Sequence, residues 1–201
     1  SYLEERAPLI RFEEDYSDPD KEWRRASRTG NKAVQTAKRG SKLLLFGDSL
    51  AVGLAPPLGK LARDNGVEFV GLGKVGSTIR EWAGQTTLNA QLRQALVQKP
   101  DVVLCSLGTN DEALSVESAR AELPALDALL ALIVPNTELG WIGPPKLQKT
   151  NGISKIIESK LPTNRYFHSE KLDIPRAPDG LHPTVLGYSG WAGKLWLWIS
   201  G

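Results

Sequence analysis

Short apolar runs alternate with longer amphipathic stretches along most of the chain. Five of these runs predict β-strands, at residues 43–46, 68–72, 101–106, 137–142 and 165–168. The stretches between and after them predict helices at residues 50–64, 78–83, 88–98, 115–133, 152–160 and 184–199. Pro56 and Pro57 are expected early in the first helix or at a break in it. Because the strands are continuously apolar and alternate with helices, the pattern indicates an α/β fold with a five-stranded parallel sheet covered on both faces.

Length and composition fit one domain of ordinary character. The 201 residues can form one α/β domain, and 41% apolar with 24% charged residues is typical of soluble globular proteins. No apolar stretch reaches the roughly 18 residues that span a bilayer, so no membrane span is expected. The single cysteine, Cys105, excludes an internal disulfide and is expected to be inert in the core. The chain has no methionine, which suggests a processed or shortened product, and no signal peptide is recognisable, so the compartment stays unknown.

Charge divides the chain into two parts. Residues 1–22 carry eight acidic side chains, and residues 23–42 carry seven basic ones and no acidic one. This segregation predicts a charged extension or linker at residues 1–41, which could join another domain or protein, before a domain at residues 42–201. Asp18 followed by proline predicts a helix start within the extension. A solvated helix is favoured for the basic segment, with binding of nucleic acid or an anionic glycan as the alternative.

Polar residues follow the predicted strands at the points where those strands end. Ser49 follows the first strand, Gly76 the second and Asn110 the third, while Asp179 and His182 precede the last helix. Ligands of open α/β sheets bind beyond the carboxyl ends of the strands. We therefore expect these five residues to meet at one edge of the sheet.

These residue types suit nucleophilic catalysis. A serine hydroxyl needs a base to take its proton, and histidine titrates near neutrality. Of the two histidines, His182 has Asp179 three residues before it, close enough for a carboxylate to orient the ring. His168 lies in a predicted strand and is expected to be structural. Ser49 is therefore the predicted nucleophile and His182 its general base.

Four short blocks of the sequence resemble the GDSL-type serine hydrolases, also called the SGNH hydrolase superfamily. The resemblance covers roughly residues 42–201, and the blocks occur in the order typical of that family. They are Gly47-Asp48-Ser49-Leu50, Gly73-Lys74-Val75-Gly76-Ser77-Thr78, Gly108-Thr109-Asn110-Asp111 and Asp179-Gly180-Leu181-His182.

The resemblance implies a three-layer α/β/α sandwich with a flavodoxin-like sheet, and ester hydrolysis through an acyl-enzyme without metal or cofactor. It implies a triad of Ser49, Asp179 and His182. It also implies an oxyanion hole built from the backbone N–H groups of Ser49 and Gly76 and the side-chain amide of Asn110, with Gly73 as a competitor of Gly76.

Several other patterns have competing interpretations. Residues 71–76 fit the dinucleotide-binding fingerprint G-x-G-x-x-G, but the acidic residue expected about 20 positions later is missing. One cysteine and two histidines do not make a usual zinc site. Asp48 and Asp111 are expected to hold loops through hydrogen bonds to the backbone rather than to act as acids.

Six tryptophans raise the possibility of stacking on a sugar. Trp191, Trp196 and Trp198 lie in the closing helix and are expected to pack against the sheet. Trp82 follows the loop of Gly76, and Trp141 precedes the loop Gly143-Pro144-Pro145. Both are therefore candidates for a substrate rim, with core packing as the alternative.

Together these patterns predict a serine esterase that hydrolyses short-chain acetyl esters, on a carbohydrate or on peptidoglycan. One alternative is a lysophospholipase or thioesterase for longer acyl chains, although the short chain leaves little room for a lid. Another is a non-catalytic glycan-binding module of a larger assembly. Nucleic acid is not an expected partner.

Overall fold

A computed structural model describes residues 37–135 and 137–201, and five strands form its centre. The predicted helix that begins at Asp18 lies outside the described residues. The strands are β1 (Lys42–Gly47), β2 (Glu68–Gly73), β3 (Val102–Ser106), β4 (Glu138–Ile142) and β5 (Tyr166–Phe167). The helices are α1 (Ser49–Asp64), α2 (Ile79–Ala83), α3 (Thr87–Val97), α4 (Thr109–Glu112), α5 (Val116–Ala121), α6 (Leu123–Ile133), α7 (Ile153–Ser159) and α8 (Val185–Ser200). A 3₁₀ turn at Ser169–Lys171 follows β5.

The sheet is parallel throughout, with the strand order β2-β1-β3-β4-β5. This is the flavodoxin-like order of doubly wound folds, so the predicted fold class is confirmed. Gly47, the last residue of β1, pairs with Gly73 of β2 and with Ser106 of β3. The carboxyl ends of these three strands are therefore level, and the loops that follow them start from one edge.

Alternate residues of β1 point into two separate apolar layers. Leu43 and Leu45 pack with α1 and α8 on one face, and Leu44 and Phe46 pack with the remaining larger helices on the other. The three tryptophans of α8 are buried in the first layer, as expected for core packing. The predicted three-layer arrangement is therefore confirmed.

The first helix continues through its two prolines. It begins at Ser49, and Pro56 and Pro57 lie in its interior without breaking it. Eight residues of α1 are buried. Their packing against the sheet and α8 offsets the backbone hydrogen bonds that the prolines cannot donate.

The single helix predicted at residues 115–133 is wrong, because the structure has two helices there. Helix α5 ends at Ala121 and α6 begins at Leu123, with Glu122 between them. Pro124 lies in the first turn of α6, where its missing N–H costs nothing. In an unbroken helix the same ring would clash with the carbonyl four residues earlier. The buried carboxylate of Glu122 also forms a 3.1 Å ion pair with Arg80. This pair holds the junction of α5 and α6 against α2.

The chain enters the described fold along the amino ends of the strands. Ala37 is buried, and its N–H donates to the carbonyl of Ile199 in α8 over 2.9 Å. The N–H of Gly40 donates to the carbonyl of Gly66. The division of the chain at residues 41 and 42 stays a prediction.

Candidate active site

Ser49 lies at a sharp turn between β1 and α1. Gly47 has a φ of +156°, and a Cβ there would lie 2.0 Å from the carbonyl oxygen of Ser106, so only glycine fits. Asp48 caps the helix by accepting the N–H of Leu50 over 2.9 Å. Ser49 is the first residue of α1, where a backbone N–H has no acceptor within the helix. The turn thus places a hydroxyl and an unused N–H at the same point.

His182 reaches Ser49 from the loop that precedes α8. Its Nε2 lies 2.9 Å from the Ser49 Oγ, and its Nδ1 lies 2.6 Å from Oδ2 of Asp179. A carboxylate can only accept, so Nδ1 carries the proton and Nε2 is free to accept the serine hydroxyl. The three predicted triad residues therefore form one continuous chain of hydrogen bonds.

The local turn around Asp179 fixes the orientation of the carboxylate. Its Oδ1 accepts the N–H groups of Leu181 and His182, each over 2.9 Å. Gly180, at a φ of +68°, provides the left-handed conformation within this turn. The hydrogen bond from His182, followed by the two backbone donors, lowers the pKa of Asp179 to about 2. The carboxylate therefore stays ionised wherever the histidine can act as a base.

Arg176 stabilises the loop that carries Asp179 and His182, a role that the sequence patterns did not predict. Its Nη1 donates to the carbonyl of Leu181 over 2.8 Å, and its Nη2 donates to the carbonyl of Lys146 over 3.0 Å. Backbone pairing of Arg176 with Pro183 and a 2.7 Å hydrogen bond from Ala177 N–H to the carbonyl of His182 close the loop. The contact with Lys146 joins residues 30 positions apart, so no local pattern in the sequence indicated it.

Hydrogen bonds bring the loops after β2 and β3 to the nucleophile turn. The carbonyl of Gly47 accepts the N–H of Lys74 over 3.0 Å, and the carbonyl of Ser77 accepts the side-chain amide of Asn110 over 2.9 Å. The Asn110 amide has a second N–H, which can serve a ligand.

Gly76 lies in the loop after β2, whereas Gly73 is the last residue of β2 itself. Gly76 has a φ of +77°, with open space where a Cβ would be. This difference favours Gly76 over Gly73 as an oxyanion donor, and the role itself stays a prediction.

Two buried acids flank the site. Asp48 and Asp111 are fully buried, and Asp111 accepts the N–H of Ile79 at 3.3 Å. Both acids therefore bind backbone donors, as predicted. Burial raises the pKa of Asp48 to about 7 and that of Asp111 to about 6.

His168 is engaged away from the nucleophile. Its two ring nitrogens contact Glu170 at 2.6 Å and Glu158 at 2.7 Å, and its ring packs edge-on against Tyr166. The hydrogen bond to Glu170 raises the pKa of His168 above its ordinary value. This histidine fixes the segment after β5, in agreement with its expected structural role.

The predicted substrate rim of Trp82 and Trp141 is wrong. Both side chains are completely buried in the second apolar layer. The indole N–H of Trp82 donates to the hydroxyl of Ser77, and that of Trp141 donates to the carbonyl of Leu107. The two rings thus hold the loops of the site from below, where no sugar can reach them. Cys105 is also buried, as expected.

A groove of about 660 Å³ opens beside the triad and was not predicted. Its walls are the α4–α5 segment with Asn110, the loop at residues 146–151, and the turn at residues 179–181. Within residues 37–135 and 137–201, no group of three or more His, Cys, Asp or Glu side chains is arranged to hold a metal ion. In the same part of the chain, no helix combines the length and the apolar character needed to cross a membrane.

Comparison with known proteins places this fold among esterase structures. No protein-family model matches the chain, and neither does any curated protein sequence. An acetylxylan esterase from Geobacillus stearothermophilus superposes with a TM-score of 0.60 and 20% identity, over 83% of this chain and 97% of that one. An α/β hydrolase from the metagenome of Lake Arreo gives 0.57 and 17%, over 82% and 98%. A family 3 carbohydrate esterase from Clostridium thermocellum gives 0.55 and 21%, over 79% and 94%.

Further structures of the Geobacillus esterase are described as catalytic mutants. In one a histidine is replaced by alanine, and in the other an aspartate three positions before that histidine is replaced. Each of these enzymes is matched over nearly its whole length. The chain therefore has the α/β/α fold of these esterases, in agreement with its resemblance to the SGNH hydrolases.

Proposed function

We propose that the protein is a serine esterase that removes short acyl groups, acetyl foremost, from a carbohydrate. The observation that carries this proposal is the unbroken hydrogen-bond chain from Asp179 through His182 to Ser49. A hydroxyl activated in this way is the nucleophile of acyl-transfer enzymes.

The reaction follows from the geometry. His182 Nε2 takes the proton of the Ser49 hydroxyl as Oγ attacks the ester carbonyl carbon. The oxygen that becomes negative is held by the N–H groups of Ser49 and Gly76 and by the Asn110 amide. His182 then gives its proton to the departing alcohol oxygen, leaving an acyl group on Ser49.

Water completes the cycle. His182 accepts a proton from the water that attacks the acyl-enzyme, and returns a proton to Oγ as the carboxylic acid leaves. Asp179, with its pKa held near 2, stabilises the imidazolium in both half-reactions.

Two observations support acetyl groups on a carbohydrate. Solved structures with the same fold include an acetylxylan esterase and a family 3 carbohydrate esterase. Ten of the sixteen residues that line the groove beside the triad are polar or charged, so they offer hydrogen-bond partners to a hydroxylated leaving group. Polysaccharide and peptidoglycan both provide such groups, and the proposal covers both.

Hydrolysis of aryl esters from acetate to decanoate tests the proposal. We expect acetate to be the best substrate, and Ser49→Ala to lower kcat/KM by about 10³- to 10⁶-fold because the acyl-enzyme can no longer form. Asp179→Asn should cost about 10³- to 10⁴-fold. Asparagine keeps the acceptor for Leu181 and His182 but turns the second oxygen into a donor facing Nδ1.

Ser159→Ala is the matched control, since this exposed serine lies in α7 and contacts only its own helix. Activity that survives Ser49→Ala would contradict the mechanism. A preference for decanoate would favour a lysophospholipase or thioesterase, and absence of hydrolysis with retained glycan binding would favour a non-catalytic module.

A further inference from the structure

We infer that the groove beside the triad binds the alcohol part of the ester as a carboxylate-bearing saccharide, with Lys146 and Lys149 as the groups that receive the carboxylate. The inference rests on the proposed function and names the class of substrate that the same site would take.

The groove adjoins the predicted catalytic site. Asn110 and Asp179 both line it, and these residues hold the oxyanion side and the base side of the predicted site. An acyl group on Ser49 separates from its alcohol between these two sides. The inference places the alcohol in this groove, whose volume of about 660 Å³ is large enough for two or more sugar rings.

The acidic side chains of the groove are already engaged within the protein. Its ionisable side chains are Lys146, Lys149, Glu112 and Asp179. Both oxygens of Glu112 accept backbone N–H groups, from Asn151 at 2.6 Å and Ser154 at 3.0 Å. Both oxygens of Asp179 are likewise occupied within its own turn.

The two lysines are exposed and carry their charge without a partner in the described part of the chain. Neither forms an ion pair with any residue of the ranges 37–135 and 137–201. Ammonium groups attract carboxylates strongly only where no protein acid already neutralises them. The ligand that completes this groove is therefore rich in acceptors and negatively charged.

The loop that carries the lysines is held in place before any ligand binds. The Asn151 amide donates to the carbonyls of Asp111 and Leu114, at 2.8 and 3.0 Å, and Arg176 donates to the carbonyl of Lys146. A loop fixed at both ends loses less entropy on binding than a free one.

No aromatic ring contributes to recognition in this groove. Its lining contains no tryptophan, tyrosine or phenylalanine, and the two tryptophans nearest in sequence to the site loops are buried beneath them. Binding in this groove therefore does not use stacking of sugar rings on aromatic side chains. A charged saccharide gains more from such a surface than a neutral one.

Competing acetylated substrates test the inference with the full-length chain. The substrates are acetylated oligouronides, acetylated peptidoglycan fragments and neutral acetylated xylo-oligosaccharides, with an aryl acetate as reference. We expect one acidic substrate to exceed the neutral one in kcat/KM. The double variant Lys146→Gln/Lys149→Gln should lower that preference by about three- to thirtyfold, since each exposed ion pair contributes modestly. Added salt should have the same effect on the parent.

Lys99→Gln is the matched control, because this exposed lysine lies before β3 at the opposite end of the sheet. Hydrolysis of the aryl acetate and the preference among the saccharides should both be unchanged in Lys99→Gln. If the parent hydrolyses the aryl acetate through Ser49 but shows no preference for either acidic substrate, or keeps it in the double variant, the inference is overturned and the proposed function stands. Failure to hydrolyse any ester would overturn both.

Discussion

Asp48 stands directly before the nucleophile with one carboxylate oxygen, Oδ2, buried and without a hydrogen-bond partner in the described part of the chain. Oδ1 accepts the N–H of Leu50, so the side chain is needed as a cap. Desolvation raises the pKa of this acid to about 7, and nearby Asp111 raises it further, while His182 and the Leu50 N–H act in the opposite direction. A group next to the reacting serine therefore changes charge near neutral pH.

Stability should depend on pH through this residue. The folded chain keeps the Asp48 proton up to about pH 7, whereas the unfolded chain releases it near pH 4. The folded state then binds more protons between these values, so the free energy of unfolding falls as pH rises through that window. Asp48→Asn keeps the cap acceptor and removes the titration.

We expect the variant to gain about 2–4 kcal/mol relative to the parent between pH 4.5 and pH 8. Urea unfolding of both proteins at the two pH values measures this difference. A constant difference across the range would show that Asp48 is ionised in the folded protein throughout.

Helices α1 and α8 approach closely on one face of the sheet, and a glycine allows the contact. A Cβ on Gly53 would lie 2.0 Å from the ring of Tyr188. The ring of Tyr188 is itself stacked on Trp191 with centroids 6.2 Å apart, so it cannot move aside freely. The contact positions the start of α8, which begins three residues after His182.

A pair of glycine substitutions tests this packing. Gly53→Ala should lower the free energy of unfolding by about 1–3 kcal/mol, because the added methyl group overpacks the contact. Gly190→Ala in α8 has open space at its Cβ and should instead raise it by about 0.5–1 kcal/mol through helix propensity. Thermal unfolding of the two variants shows whether the free energy of unfolding falls in Gly53→Ala and rises in Gly190→Ala. Equal effects would mean that the helices tolerate a wider separation.

The parts of the fold that sequence reasoning predicted are those encoded locally. Asp179 and His182 belong to one turn, so their spacing was enough to predict that they pair, whereas Ser49 was joined to them by its place after an apolar strand and by the resemblance of four blocks to a known family. The helix is interrupted at Glu122 because Pro124 lies in the first turn of the next helix. The pattern of apolar residues continues across this interruption, so the pattern alone did not indicate it.

What the sequence could not predict depends on contacts between distant residues. Arg176 reaches the loop at Lys146 across 30 positions, and the burial of Trp82 and Trp141 depends on helices packed over the sheet from several parts of the chain. The groove formed by residues 109–116, 146–151 and 179–181 likewise exists only after folding.

At the scale of the whole molecule, the triad and the three walls of the groove lie within residues 49–182 of the described fold. The charged extension predicted at residues 1–41 contributes none of these groups. We therefore expect a chain that begins at Ala37 to keep its kcat/KM on aryl acetate within about twofold, provided that the Ala37 N–H still reaches the carbonyl of Ile199.

Expression of that shortened chain next to the full one, with both assayed on aryl acetate, measures the contribution of the first 36 residues. A loss of activity with an unchanged melting temperature would show that the extension takes part in the reaction, contrary to the predicted division of the chain. A loss of both would show that it stabilises the fold.

The side chains of His182 and Asp179 remain 36% and 49% exposed. A reaction centre so close to the surface does not require its substrate to enter by an end. A long polymer could therefore be bound and deacylated at any position along its length. After partial digestion, stretches of polymer without acyl groups should then occur in the interior as often as at the ends.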